Sequence, residues 1–190
     1  LAFALAGAFF GLGAGETAAR LIAAGEVSPF IIVMPLDPDW EQPTQVNFGL
    51  ALVDDLIPHI DGLYRTHAER QQRAIGGLSR GGAWAIHLGL SHWESFAAFG
   101  GHSPSIFWTD AVKIPLWLDA IPSEQLPAIY LDIGDHDTPE LLEAATTFET
   151  LLTQKNVPHE WHLFSGYHEE AYWSKHLEDY LRWYASVWEP

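Results

Sequence analysis

Arg73-Ala74-Ile75-Gly76-Gly77-Leu78-Ser79-Arg80-Gly81-Gly82 is the stretch on which the reading of this chain turns. It holds a G-x-S-x-G pentapeptide directly behind an apolar run (Ala74, Ile75) and directly ahead of a helix-like pattern over residues 83–90. A strand, a sharp turn and a helix in that order force the turn serine into a strained backbone and expose its hydroxyl as a nucleophile. Gly77 and Gly81 suit the turn because side chains two positions either side of the serine would strike neighbouring backbone. An isolated glycine-rich turn would read the same way, so a base and an acid must be found elsewhere.

At 190 residues and 48% hydrophobic content, the sequence fits a single domain over 1–190 with a sizeable core. Twenty-five acidic against nine basic residues give a net charge of −16. Such a surface repels a phosphate backbone, which argues against nucleic acid as a partner. The absence of cysteine removes disulfides, thiol catalysis and cysteine metal sites, and does not fix the compartment. Residues 1–15 are uncharged and apolar but lack a basic flank, and are too short and glycine-broken to span a membrane. We expect them to belong to the fold of a soluble protein.

Strand-like and helix-like segments alternate. A helix pattern over 16–24 precedes Phe30-Ile31-Ile32-Val33-Met34, a short continuous apolar run typical of a strand buried on both faces. A loop rich in Pro and Asp over 36–45 leads to a long helix pattern through Leu52, Leu56, Ile60 and Leu63, with Pro58 expected to kink it. The serine strand and helix follow, then a strand over 96–100, loop-like sequence over 103–127 and a strand over 128–133. A helix over 140–154, a strand over 160–164 and a C-terminal helix carrying Trp173, Leu177, Tyr180, Leu181 and Tyr184 complete the chain. This rhythm predicts an α/β fold with a mostly parallel, doubly wound sheet.

In such a sheet, reacting groups sit on loops just past the C-terminal ends of strands. Ser79 lies there, as do Gly134-Asp135-His136-Asp137 and Ser165-Gly166-Tyr167-His168. The order Ser, Asp, His is that of an α/β-hydrolase. A serine hydroxyl is scarcely ionised at neutral pH and needs a base, here His168, oriented by a carboxylate. Asp135 and Asp137 compete for that role. His159 and His162, three apart on an expected strand, point to opposite faces, and no second cluster joins His136, so no metal is expected.

The sequence resembles the esterase D-like ("Putative esterase") family of α/β-hydrolases, which includes feruloyl esterases, siderophore esterases and S-formylglutathione hydrolases. The resemblance is carried by Leu21-Ile22-Ala23-Ala24-Gly25, by residues 29–35, by Asp55-Leu56-Ile57-Pro58-His59-Ile60 and by residues 73–82. The G-x-x-D of residues 134–137, the G-x-H of residues 166–168 and Tyr172-Trp173 complete it. It implies Ser79 as nucleophile, Asp137 as acid, His168 as base and the Arg80 N–H as one oxyanion donor. It also implies a strand order 1-2-4-3-5-6-7-8 in which this chain lacks the first two strands.

The family's His-Gly oxyanion loop has no counterpart dipeptide here. If residues 1–5 form the third strand, the second donor falls at Ala8 or a neighbour; losing one such donor costs about 2.7–4 kcal/mol of transition-state stabilisation. The strand Phe30 to Met34 then becomes an apolar edge, which predicts a homo-oligomer that covers it.

These readings converge on a serine esterase acting on a small or aromatic ester through an acyl-enzyme, without cofactor. Trp40, Phe107, Trp108 and Trp173 are candidate pocket walls. An acyltransferase on the same residues, or a catalytically silent binding protein of this fold, are the competing readings.

Overall fold

The computed structural model describes residues 2–6, 11–37 and 40–188. Six parallel strands form one sheet in the order β2-β1-β3-β4-β5-β6. They are β1 (Ala2–Ala6), β2 (Ile31–Val33), β3 (Arg73–Leu78), β4 (Ala98–His102), β5 (Ala128–Gly134) and β6 (Glu160–Phe164). This is the order left when the first two strands are taken from the eight-stranded arrangement.

Side chains alternate along each strand and so feed two cores. Ile75, Phe99, Ile129 and Leu131 pack with Trp84, Ile86 and Leu88 of α4 (Arg80–Ser91) and Phe148 and Leu152 of α6 (Pro139–Gln154). Ala74, Ala98 and Tyr130 pack on the other face with Leu21 of α1 (Ala14–Ala23) and with Leu177, Tyr180, Leu181 and Tyr184 of α7 (Glu170–Ser186). Tyr184 enters so deeply that a Cβ on Gly76 or Gly100 would come within 1.8 or 2.0 Å of its hydroxyl. Only a residue without a side chain fits at either strand position.

Three local expectations are corrected. The stretch 103–127 is not loop throughout, since it holds α5 (Ile114–Ala120) with Pro115 in its first turn. Proline is tolerated there because the N–H it lacks has no acceptor within the helix, and Ile114, Leu118 and Ile121 are buried. The fourth strand runs over 98–102, not 96–100, continuing through Gly100 and Gly101, which pair with Tyr130 and Leu131. The long helix is α2 (Phe48–Leu50), a wide π-helical stretch (Ala51–Leu56) and α3 (Ile57–Leu63). Pro58 has no N–H for the preceding turn, and that turn is widened.

At the sheet edge, β2 pairs with β1; it covers Ile31–Val33 rather than all of Phe30 to Met34, and its residues are half-buried instead of buried on both faces. Phe30 lies 5.6 Å from Trp188, and Ile32 and Met34 pack on the α1/α7 core.

Candidate active site

Leu78, His102, Asp132 and His162 lie in register across β3, β4, β5 and β6 near their C-terminal ends. The loops that leave the sheet there carry the candidate groups. Ser79 has φ 52° and ψ −115°, a conformation costly for a non-glycine residue and held here from three sides. Its N–H donates to the His102 carbonyl at 2.9 Å, and its own carbonyl accepts from Ala83 at 3.1 Å and Ser105 at 3.2 Å.

His168, on the loop after β6, places Nε2 3.0 Å from Ser79 Oγ and Nδ1 3.0 Å from Asp137 Oδ2. The Asp137 side chain is buried, and its Oδ1 accepts the Thr138 N–H at 2.6 Å. An ionised carboxylate only accepts, so His168 donates through Nδ1 and turns an acceptor Nε2 toward the serine hydroxyl. Ser79, His168 and Asp137 thus form one hydrogen-bonded chain.

Asp135 points elsewhere. Its Oδ1 lies 2.6 Å from His136 Nδ1 and accepts the Gly166 N–H at 3.0 Å. The His136 hydrogen bond first, and the Gly166 N–H second, hold its carboxyl below the usual carboxylate range. Together with the His136 N–H on the Gly166 carbonyl (2.9 Å), it laces the loop after β5 to the loop after β6.

Arg80 opens α4, and its N–H belongs to the first turn, where helix geometry offers no internal acceptor. Ala8, the candidate second donor, lies outside the described residues. The Arg80 side chain was not singled out by sequence beyond its N–H, yet it organises one flank of the site. Its Nε donates to Asp37 Oδ2 at 2.7 Å and its Nη2 to the Glu41 carbonyl at 2.6 Å. Trp84 Nε1 donates to the same Asp37 oxygen at 2.7 Å. The guanidinium lies 5.7 Å from the Trp40 ring centre and 5.1 Å from that of Phe107, within cation–π range.

The four candidate wall residues separate into two pairs. Trp40 and Trp108 are 85% and 71% exposed, on loops that flank the elbow. Phe107 and Trp173 are buried. The Phe107 and Trp84 rings meet in a T-shape with centres 4.9 Å apart, and the Trp173 and His168 rings do the same at 4.9 Å. The loop bearing Trp108 is anchored where buried Asp110 meets His87 Nδ1 at 2.7 Å.

Sequence reasoning missed Asp37, which lies four residues beyond β2 at the same end of the sheet as Ser79. It also missed Ser103, buried in left-handed backbone with φ 47°. His159 stands before β6 rather than on it, its Nδ1 2.8 Å from the Val157 carbonyl. Among the described residues, no three His, Asp or Glu side chains converge as a metal site would require, and no helix is long and apolar enough to cross a membrane.

The family model described as "Putative esterase" matches residues 8–184. An endo-1,4-beta-xylanase/feruloyl esterase of Xylanibacter ruminicola is 32% identical over 134 residues, which are 67% of this chain and 17% of that protein. The chain therefore spans a small part of that relative's length. Among solved structures, a ferulic acid esterase superposes with a TM-score of 0.81 at 23% identity, covering 98% of this chain and 84% of its own. An S-formylglutathione hydrolase from Staphylococcus aureus superposes with a TM-score of 0.75 at 19% identity, covering 97% of this chain and 80% of its own. Both share the fold.

Proposed function

The chain belongs to the Putative esterase family, of α/β-hydrolase fold, and on that premise we propose that it hydrolyses carboxylic esters through an acyl-enzyme on Ser79. The observation that carries the reading is the hydrogen-bonded chain itself, with both His168 contacts at 3.0 Å.

In this mechanism His168 Nε2 takes the Ser79 proton as Oγ attacks the ester carbonyl carbon. The carbonyl oxygen becomes an oxyanion, held by the Arg80 N–H. Asp137 keeps Nδ1 protonated and stabilises the imidazolium. The carbon–oxygen bond to the alcohol then breaks, and the alcohol leaves with the proton from Nε2. Water repeats the sequence on the acyl-enzyme, giving the acid and restoring Ser79. The steps call on no cofactor.

Exposed Trp40, beside Arg80, and exposed Trp108 favour an ester with an aromatic group, because a flat ring stacks on an indole face. Hydrolysis of short-chain aryl esters by the wild type and Ser79→Ala tests the assignment. Loss of turnover in Ser79→Ala is expected, and equal rates would reject Ser79 as nucleophile.

A further inference from the structure

Beneath Ser79 and His168 lies a second polar cluster that the acyl-transfer steps do not use. Asp132 on β5 and His102, its register partner on β4, are both fully buried. His102 Nδ1 stands 2.6 Å from Asp132 Oδ1, while Tyr172 and Tyr180 of α7 donate their hydroxyls to Oδ2 at 2.6 and 2.7 Å. His102 Nε2 is 2.9 Å from the Tyr184 hydroxyl. A buried carboxylate is tolerated only when paired and hydrogen-bonded, and three donors meet this one. Burial first, and the Asp132 charge second, hold the Tyr172, Tyr180 and Tyr184 hydroxyls well above the ordinary tyrosine range, so they stay protonated.

Two routes lead from this cluster to the site. Through β4, the His102 carbonyl receives the Ser79 N–H, and Ser103 donates its N–H to the Asp132 carbonyl at 2.7 Å. Ser103 Oγ accepts the Trp173 indole N–H at 3.2 Å, and that indole stands perpendicular to the His168 ring. Through α7, the Tyr172 ring fills the place a Gly166 Cβ would take, 2.4 Å from its Cδ2. The Gly166 carbonyl in turn lies 2.3 Å from where a Gly134 Cβ would fall. Tyr172, hydrogen-bonded to Asp132, is thus packed without slack against Gly166, two residues before His168 on the same loop. An apolar filling could seal α7 to the sheet, but directional hydrogen bonds fix its depth and rotation.

We propose that Asp132 is a positioning residue for the reaction: by holding Tyr172 and Tyr180 it sets the first turn of α7, and with it the placing of His168 between Ser79 and Asp137. It rests on the reading of His168 as the base. Asp132 itself meets neither Ser79 nor the substrate.

The test compares the wild type, Asp132→Asn and Tyr172→Phe in aryl-ester kinetics and in the downfield proton resonance of the His168–Asp137 hydrogen bond, assigned by its loss in Asp137→Asn. Asp132→Asn, folded by circular dichroism, is expected to lose about tenfold or more in kcat with the resonance shifted or broadened. KM should stay within about twofold. Tyr172→Phe, which keeps its ring against Gly166, moves both in the same direction by a smaller factor. A folded variant with an unmoved resonance overturns the proposal whatever its kcat, because the loss would then reflect general stability. An unchanged kcat overturns it equally. Should Asp132→Asn fail to fold, Tyr172→Phe decides. If Ser79→Ala turns over esters like the wild type, the functional reading has failed, and the resonance alone still reports whether Asp132 places His168.

Discussion

Arg80 and Asp37 are joined across 43 residues of chain by a 2.7 Å hydrogen bond between Nε and Oδ2, with both side chains largely shielded from solvent. The loop that bears Trp40 is thereby tied to the residue that follows the candidate nucleophile. Asp37→Ala takes the shared acceptor from Arg80 and Trp84, and should cost about 1–3 kcal/mol in urea unfolding. It should also raise KM for aryl esters more than it lowers kcat, since the wall rather than the reacting groups is loosened. A variant of wild-type stability and unchanged KM would show the tie to be incidental.

Asp137 and Asp135 make opposite predictions. Asp137→Asn preserves shape but leaves His168 Nδ1 facing an amide, and in the assigned mechanism the wrong tautomer should lower kcat by roughly 10⁴. Asp135→Asn loosens only the exposed latch to His136 and Gly166, so kcat should fall by no more than a few-fold. Steady-state kinetics on both variants, each checked for fold, separates the two carboxylates. Comparable losses would reject Asp137 as the distinct orienting acid.

Strands were legible where an apolar run bounded by turn residues reports burial directly, as the run over 128–133 does for buried β5. The convergence of Ser79, Asp137 and His168 was legible because strand ends point to one crevice and the family motifs choose among neighbours. The Asp132 cluster was not. Asp132 reads as one more position in an apolar strand, and its partners come from β4 and α7, at separations of 30, 40 and 48 residues. Helix α5 was hidden by Pro115, whose cost depends on whether it falls in a first turn or an interior one. Gly76 and Gly100 read as weak strand positions until the Tyr184 hydroxyl is seen between them.

Gly62 offers a contrasting case. It is exposed in α3, and an added Cβ would meet nothing within 4 Å. Gly62→Ala should therefore stabilise the fold by about 0.5–1 kcal/mol through reduced backbone freedom in the unfolded chain. Thermal unfolding should show a higher Tm and aryl-ester kinetics no change. A lower Tm would mean that α3 is not helical at this residue.

His176 predicts how stability responds to acid. Its ring stacks on Phe164 at 4.3 Å, and its Nε2 is buried without a hydrogen-bond partner. Burial holds it below the ordinary histidine range; Lys175 and His102 act in the same direction, while Asp132 and Asp179 oppose. The unfolded chain then binds more protons than the folded one once pH falls below the unfolded value of about 6.5, so stability is lost from there downward. Burial first and His87 second depress His92 as well, which bends the curve the same way. Calorimetry from pH 7 to pH 5, a window set by that same unfolded value of about 6.5, should show a falling Tm in the wild type. His176→Phe, which keeps an aromatic ring beside Phe164, should shed part of that slope while leaving the His92 part. An unchanged slope in His176→Phe would place the acid sensitivity elsewhere.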